Sequence, residues 1–177
     1  MKMKNRETMI NTLNSINVYG RSKLAGENFV KDVLLKHYII RCAWLYGGTK
    51  PNLVTSILER ALKGGKIEQA VDQISTPTNV DDLSKGIRNI LESGQYSTYH
   101  VTNQGYCSRY EMGKIILNEA GLQEDSIIPI SLSDDKRIAK RPSHTVLKNM
   151  MLSSCGFQQL QPFEASLRNY VSSLKSR

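Results

Sequence analysis

Residues 17–29 read NVYGRSKLAGENF, and this stretch carries the pattern of a helix with one apolar face. Apolar or small side chains recur every three or four residues, which is the spacing of one helix face: Val18, Ser22, Ala25, Phe29 and Val33. We therefore predict a helix over residues 18–36. The same stretch places Tyr19 four residues before Lys23, so both side chains would lie on one side of that helix.

The rest of the chain alternates between helical and extended patterns. Helical spacing recurs in four segments, three of which end at a glycine: NLVTSILERALKGG, DDLSKGIRNILESG, SRYEMGKIILNEAG and PFEASLRNYVSSLK. The third segment opens with Ser108 and Glu111, which have the spacing of a capping box. Extended patterns are found in HYIIRCAWLYGG, KIEQAVDQISTPT, STYHVTN and SIIPIS. This alternation is typical of an α/β protein.

Composition limits the class of protein and its location. The chain has 177 residues, of which 40% are hydrophobic and 23% charged, as expected for one globular domain with at most a small additional lobe. The longest apolar run, residues 38–45, is interrupted by Arg41 and is too short to cross a membrane. Three scattered cysteines are typical of a reduced, cytoplasmic protein. The three histidines share no ligand spacing, so no metal site is expected.

The net charge of +8 is concentrated at the front of the chain. Residues 1–66 hold twelve Lys and Arg against four Asp and Glu, whereas residues 67–177 hold twelve of each. There is no block of basic residues and no nucleic-acid recognition motif, so we do not expect a nucleic-acid partner. A small anionic ligand such as a nucleotide diphosphate explains the charge equally well.

A tyrosine beside a lysine can act as a proton donor. Tyrosine has an ordinary pKa of about 10, and a nearby ammonium lowers that pKa by stabilising the phenolate. The spacing alone identifies no site, because it occurs three times, at Tyr19, Tyr46 and Tyr110. The alternative for Tyr19 and Lys23 is a packed tyrosine beside a solvated lysine.

The surrounding residues separate the three pairs. Five segments resemble, in order and spacing, the dTDP-4-dehydrorhamnose reductase family of the extended short-chain dehydrogenase/reductase superfamily: YGRSKLAGE, RCAWLYG, DQISTPT, STYHVTNQGYCSRYEMGKII and RPSHTVLKN. The resemblance covers residues 17–174. It implies an α/β fold, the C-terminal part of an NAD(P)-binding Rossmann-like fold with a small substrate-binding lobe.

The resemblance also implies an activity and a set of site residues. The activity is reduction of the C4 keto group of dTDP-4-dehydro-6-deoxy-L-mannose to dTDP-L-rhamnose with NADPH or NADH. Tyr19 would donate the proton, Lys23 would tune Tyr19, and both would contact the cofactor, Lys23 at the nicotinamide ribose. Trp44 would pack against the sugar nucleotide. Arg141 matches a position in the substrate-binding half, and its charge suits the diphosphate.

One family feature is missing from the sequence. No Gly-rich turn between a strand and a helix is found, and Thr8, Thr12 and Ser15 lie too close to Tyr19 to be the family's catalytic Ser or Thr. We therefore expect the main cofactor-binding half to be absent and the chain alone to be inactive. The alternative function is a non-catalytic nucleotide-sugar-binding or regulatory module.

The expected organisation has three parts. Residues 1–16 form a poorly defined N-terminal segment, and residues 17–66 form the remainder of the Rossmann-like core with the catalytic helix. Residues 67–177 form mainly the sugar-nucleotide-binding lobe, interleaved with the last core elements. The strand at residues 38–45 would lack its upstream neighbours, and an uncovered strand invites pairing. We expect self-association, or pairing with an N-terminal half.

Overall fold

A computed structural model describes residues 17–134, 139 and 141–175, so the expected segment 1–16 lies outside the described residues. In chain order the elements are α1 (Val18–Val33), β1 (Tyr38–Arg41), β2 (Leu45–Tyr46), α2 (Leu53–Leu62), β3 (Ile67–Ala70), β4 (Ile74–Ser75), β5 (Thr78–Asn79), α3 (Val80–Ser93), β6 (Ser97–His100), β7 (Cys107–Ser108), α4 (Arg109–Ala120), β8 (Ile127–Ile130), β9 (His144–Thr145), α5 (Met150–Ser154) and α6 (Phe163–Lys175). The predicted α/β class is confirmed.

The strands pair mainly in parallel. β1 pairs with β6, β2 with β5 and β3 with β8, in each case in the parallel direction. β4 lies between β7 and β9, antiparallel to β7 and parallel to β9. Parallel pairs need crossover connections, which the intervening helices provide.

Local capping signals set the helix ends. Ser108 and Glu111 form the predicted capping box at the start of α4, and Gly121 ends that helix with a φ of 73°. α3 begins at Val80, one residue before the predicted segment DDLSKGIRNILESG, because the side chain of Asn79 accepts a hydrogen bond from the N–H of Asp81 at 2.8 Å.

The extended segment at residues 38–46 is broken into two strands. β1 ends at Arg41 and β2 begins at Leu45, and between them Trp44 has a φ of 42°, in the left-handed region. The carbonyl of Trp44 accepts a hydrogen bond from the N–H of Thr78 at 3.2 Å, which leads directly into the β2–β5 pair. The change of partner from β6 to β5 therefore requires the break.

The predicted first helix is found as α1, but it ends at Val33 instead of residue 36, where Leu34 is already extended, and its apolar stripe faces solvent. Val18, Phe29 and Val33 are 71%, 69% and 62% exposed, and no residue of α1 is buried. On the inner side Glu27 is tied to Arg41 of β1 by an ion pair, with Oε1 and Nε 2.8 Å apart. Among the described strands, β1 pairs only with β6. The expected association through β1 stays a prediction.

Two clusters of buried side chains form the core. The larger contains residues from β2, α2, β3, β7, α4, β8 and α6: Tyr46, Val54, Ile57, Ile67, Cys107, Met112, Ile116, Leu117, Ile127, Phe163, Leu167, Tyr170 and Val171. The smaller lies around α3, β6 and α5: Leu83, Ile90, Tyr99, Val101, Leu152 and Leu160. The predicted apolar face of α6 supplies four residues to the larger cluster.

Asp82 of α3 connects these two clusters through hydrogen bonds. Its Oδ2 atom accepts bonds from Asn103 Nδ2 at 2.8 Å, Gln161 Nε2 at 2.9 Å and Ser166 Oγ at 2.6 Å. Burial raises the pKa of the Asp82 carboxyl, but the three donors and the charge of Lys85 outweigh burial and hold the pKa below its usual value. The ionised carboxylate is therefore the form that the fold favours.

We predict that Asp82→Asn lowers the free energy of unfolding by roughly 2 kcal/mol near neutral pH, because the three donors lose a charged acceptor. The amide nitrogen that replaces one carboxylate oxygen also cannot accept the bond that Gln161 donates to Oδ1. Since folding depresses the pKa of Asp82, its contribution is present above the unfolded pKa of about 3.9 and is lost as the pH falls through the lower folded pKa. The difference between the variant and the wild type should shrink over that range in urea titrations. The control is Asp81→Asn, at an exposed neighbour, with an expected change of about 0.5 kcal/mol.

Candidate functional site

A large groove lies against the β3–β8 pair and the first turns of α2 and α4. Its volume is about 1080 Å³, which is large enough for a nucleotide-sized ligand. The groove is lined by residues from both strands, both helices and the segment after β8: Pro51, Asn52, Leu53, Ser56, Arg60, Lys66, Glu68, Gln69, Ala70, Gln73, Arg109, Ile128, Ile130, Leu132, Asp134 and Arg141.

The groove favours an anionic ligand. Its described lining holds four cationic side chains, Arg60, Lys66, Arg109 and Arg141, against the two carboxylates of Glu68 and Asp134. Two helices also begin there, and a helix N-terminus carries a partial positive charge. The charges and the helix dipoles therefore act in the same direction.

Trp44 and Arg109 form a stacked pair at this groove. The guanidinium carbon of Arg109 is 3.7 Å from the centre of the Trp44 ring. Arg109 lines the groove, whereas Trp44 packs against the larger core cluster and is not among the described lining residues. The predicted site residue Trp44 is thus close to the groove, and its stacked partner Arg109 is the member of the pair that lines it.

Asn52 fixes the α2 side of the groove. Its Oδ1 atom caps α2 by accepting hydrogen bonds from Val54 N at 3.0 Å and Thr55 N at 3.4 Å. Its Nδ2 atom donates to the hydroxyl of Tyr170 on α6 at 3.0 Å. The groove wall is therefore anchored to the larger core cluster, to which Tyr170 belongs.

Asp72 fixes the opposite rim, which includes Leu132 and Asp134. Its carboxylate accepts bonds from Ser131 Oγ at 2.8 Å and from the N–H of Leu132 at 2.6 Å. These bonds, the Ser131 hydroxyl first, hold the pKa of Asp72 below its usual value. The loop after β3 is thereby joined to the turn after β8.

The predicted residues Tyr19 and Lys23 lie together on α1. The ammonium nitrogen of Lys23 is 5.3 Å from the centre of the Tyr19 ring, and Tyr19 is 72% exposed. Neither residue is among the described residues that line the groove. The ion pair between Glu27 and Arg41 places the N-terminal half of α1 toward the carboxyl end of β1. Trp44 follows that end of the strand in the chain.

The other two Tyr/Lys pairs differ in their surroundings. Tyr46 is fully buried, and burial raises its pKa, which makes it a poorer proton donor. The Tyr110–Lys114 pair has a similar geometry, with the ammonium 5.7 Å from the ring, but Lys114 is also held by Glu124 at 2.8 Å. Helical spacing alone therefore brings the ammonium close to the ring in both helical pairs. Of the three pairs, only Tyr19 and Lys23 lie on a helix that has no buried residue.

Only part of a nicotinamide dinucleotide site can be built from this chain. Tyr19 and Lys23 have the donors to hold a ribose hydroxyl and a reacting carbonyl. However, no G-x-G-x-x-G segment occurs in the sequence, so there is no turn of that kind to seat a pyrophosphate. Among the described residues, no cluster of His, Cys, Asp and Glu could hold a metal ion, and no helix is long and apolar enough to span a membrane.

Sequence reasoning placed Arg141 at the substrate site but missed Arg109. Arg141 lies on the groove as one of its cationic residues. Arg109 follows a capping serine, so its sequence context indicated only the start of a helix. Its positive charge could have identified it, because a cation at the N-terminus of a helix is repelled by the helix dipole, so an arginine there suggests a functional role.

Comparison with known proteins places the chain in a family. A family model described as the RmlD substrate binding domain matches residues 7–176. The dTDP-4-dehydrorhamnose reductase of Mycolicibacterium smegmatis is 30% identical over 161 residues, which are 90% of this chain and 49% of the relative. The chain therefore spans about half the length of the curated relatives it matches.

Solved structures agree with this assignment. A dTDP-4-dehydrorhamnose reductase from Bacillus anthracis, solved in complex with NADP, is 35% identical with a TM-score of 0.85, over 89% of this chain and 56% of that one. The corresponding protein from Clostridium acetobutylicum is 34% identical with a TM-score of 0.84, over 89% and 55%. These similarities confirm the fold class expected from the sequence. Because the family model matches residues 7–176, nearly the whole of this sequence, the chain belongs to the RmlD substrate-binding domain family.

Proposed function

We propose that this chain carries the sugar-nucleotide-binding part of a dTDP-4-dehydrorhamnose reductase and the Tyr/Lys pair of its reaction. The proposed reaction is reduction of the C4 keto group of dTDP-4-dehydro-6-deoxy-L-mannose to dTDP-L-rhamnose. The observation that carries the proposal is the groove between α2, α4 and the β3–β8 pair, whose size and charge suit a nucleoside diphosphate sugar. Family membership supports the same substrate class.

The proposed roles divide between the groove and α1. Arg141 contributes positive charge where the diphosphate would bind. Tyr19 donates a proton to the C4 oxygen, and Lys23 stabilises the tyrosinate and holds the nicotinamide ribose. The reduced nicotinamide, NADPH or NADH, supplies the hydride when it is bound. We propose that this chain alone binds the sugar nucleotide but does not seat the dinucleotide, because it lacks the Gly-rich turn.

A second candidate is a module that binds a nucleotide sugar or a partner protein without catalysis. The observation that favours it is the same missing turn. The two candidates share the groove and differ in whether Tyr19 and Lys23 act on a bound substrate.

One prediction from the proposed function concerns dTDP binding by the 177-residue chain. We expect dTDP, at one hundred times its dissociation constant, to raise the melting temperature by roughly 5–10 °C, because ligand binding stabilises the native state by about 2.7 kcal/mol. NADPH alone should leave it unchanged. Arg141→Gln should weaken dTDP binding roughly tenfold, because a charge-assisted contact is lost.

The matched control is Arg88→Gln, an exposed arginine of α3 that is paired with Glu92 outside the groove. Its dTDP response should equal that of the wild type. An absence of any response to dTDP in the wild type would refute the groove as a sugar-nucleotide site.

The second prediction concerns catalysis. It is measured in a fusion of this chain to the part of the Bacillus anthracis reductase with which it does not align, by following NADPH oxidation with the keto sugar. Tyr19→Phe should lower the rate roughly 100-fold or more, because the proton donor is removed. Substrate affinity should change little, since Tyr19 is not among the residues that line the groove.

The control for this experiment is Tyr110→Phe, which alters the pair of similar geometry on α4. Its rate should stay within about twofold of the unchanged fusion, as expected for a substitution away from the reacting atoms. Near-normal turnover by the Tyr19 variant would rule out the assigned proton donor. Turnover that falls equally in both variants would point to a structural effect.

A further inference from the structure

We propose that Arg109 is the residue of the groove that binds a phosphate group of the ligand, and that Trp44 positions Arg109 instead of stacking on the nucleobase. The inference rests on the proposed function, because it takes the ligand to be a nucleoside diphosphate sugar. It assigns a role to a residue that the sequence motifs did not indicate and changes the role expected for Trp44.

Arg109 differs from the other described cations of the groove in how it is held. Its guanidinium carbon is 3.7 Å from the centre of the Trp44 ring, and no other described cation that lines the groove stacks on an aromatic ring. Arg60, Lys66 and Arg141 are exposed, whereas Arg109 is half-buried. A stacked guanidinium loses less conformational freedom on binding, and its planar fork matches the oxygens of a phosphate.

The backbone of each residue in the stacked pair is held by a hydrogen bond to another segment. The N–H of Arg109 donates to the carbonyl of Gln73 at 3.1 Å, beside the β4–β7 pair. The carbonyl of Trp44 accepts from Thr78 at 3.2 Å, beside the β2–β5 pair. Trp44 has a φ of 42°, a conformation that costs energy for a residue with a side chain and persists only where its surroundings enforce it. The structure thus maintains an unfavourable backbone at the residue that carries the stacking ring.

The position of Trp44 argues against direct contact with a base. The indole packs against the larger core cluster and against Arg109. Arg109 lines the groove, but Trp44 is not among the described lining residues. A ligand in the groove would therefore meet the guanidinium before the indole.

The location of Arg109 also favours an anion beside it. Arg109 is the first residue of α4, where the positive end of the helix dipole disfavours a cation. A bound phosphate would be attracted both by the guanidinium and by the helix N-terminus. A phosphate bound there would offset the unfavourable interaction between the guanidinium and the positive end of the helix.

The test compares ligands with and without phosphate in the full 177-residue chain. Calorimetry would measure the affinities of dTDP, inorganic pyrophosphate and thymidine for the wild type, Arg109→Gln, Arg109→Lys, Trp44→Leu, Trp44→Phe and the double variant Arg109→Gln with Trp44→Leu. Arg60→Gln measures the general attraction by charge, because Arg60 lines the same groove and is not stacked on a ring. The control is Arg88→Gln, which lies outside the groove. Circular dichroism and melting temperature would show that each variant is folded.

We expect Arg109→Gln to weaken dTDP and pyrophosphate binding about ten- to hundredfold and to leave thymidine affinity within about twofold. Arg109→Lys should lose nearly as much, since the planar fork is gone. Trp44→Leu should weaken dTDP but not thymidine, Trp44→Phe should restore most of the affinity, and Trp44→Leu should have no further effect once Arg109 is changed. Arg60→Gln should change dTDP affinity by no more than about threefold.

Trp44 is the only tryptophan of the sequence, so its fluorescence gives a second readout. Pyrophosphate should change the emission of the wild type at the affinity measured by calorimetry, whereas at the same concentrations it should leave Arg109→Gln unchanged. Equal losses for Arg60→Gln and Arg109→Gln would overturn the inference in favour of general attraction by charge. Weaker thymidine binding by Trp44→Leu would overturn it in favour of base stacking. If the wild type binds none of the three ligands, the proposed function itself fails.

Discussion

The hydrogen bonds to Asp82 join the two halves of the hydrophobic core. Asp82 stands on α3, whose Leu83 and Ile90 belong to the smaller cluster, and it accepts a bond from Ser166 on α6, whose Leu167 belongs to the larger one. The Asp82 carboxylate thus links the two clusters by hydrogen bonds. Apolar packing alone is non-directional and would not fix their relative orientation. The groove depends on this constraint, because α6 in turn anchors Asn52 through Tyr170.

The electrostatics of the groove follow from where helices begin. Both α2 and α4 start at its edge, after strands or loops whose ends are fixed by hydrogen bonds to other parts of the chain. This arrangement resembles the general rule for α/β proteins, in which ligands bind where strands end and helices start. The chain adds arginines to these positive ends, and that combination suits a ligand with more than one negative charge.

Features specified by neighbouring residues were predictable from the sequence, whereas features set by distant contacts were not. The capping box of Ser108 and Glu111 predicted the start of α4, and the apolar spacing of α6 predicted its buried face. The break at Trp44 could not be predicted, because it depends on a bond to Thr78 and a change of strand partner. In the site, Arg141 was found by family resemblance, but Arg109 required knowledge of the ring stacked upon it. The spacing of Tyr19 and Lys23 predicted their proximity but not the exposure of α1.

The exposure of α1 has a consequence for the timescale on which its residues keep their positions. A helix of 16 residues without a buried side chain gains little from tertiary packing, and isolated helices of that length are marginal in water. Within the 177-residue chain it is therefore a weak cooperative unit, and we expect it to open locally more often than the two core clusters unfold. The residue proposed to transfer a proton lies on this helix. In the 177-residue chain by itself, the position of Tyr19 therefore depends on the fraction of time that α1 stays packed against β1, where the ion pair of Glu27 and Arg41 is its described salt-bridge link to a strand.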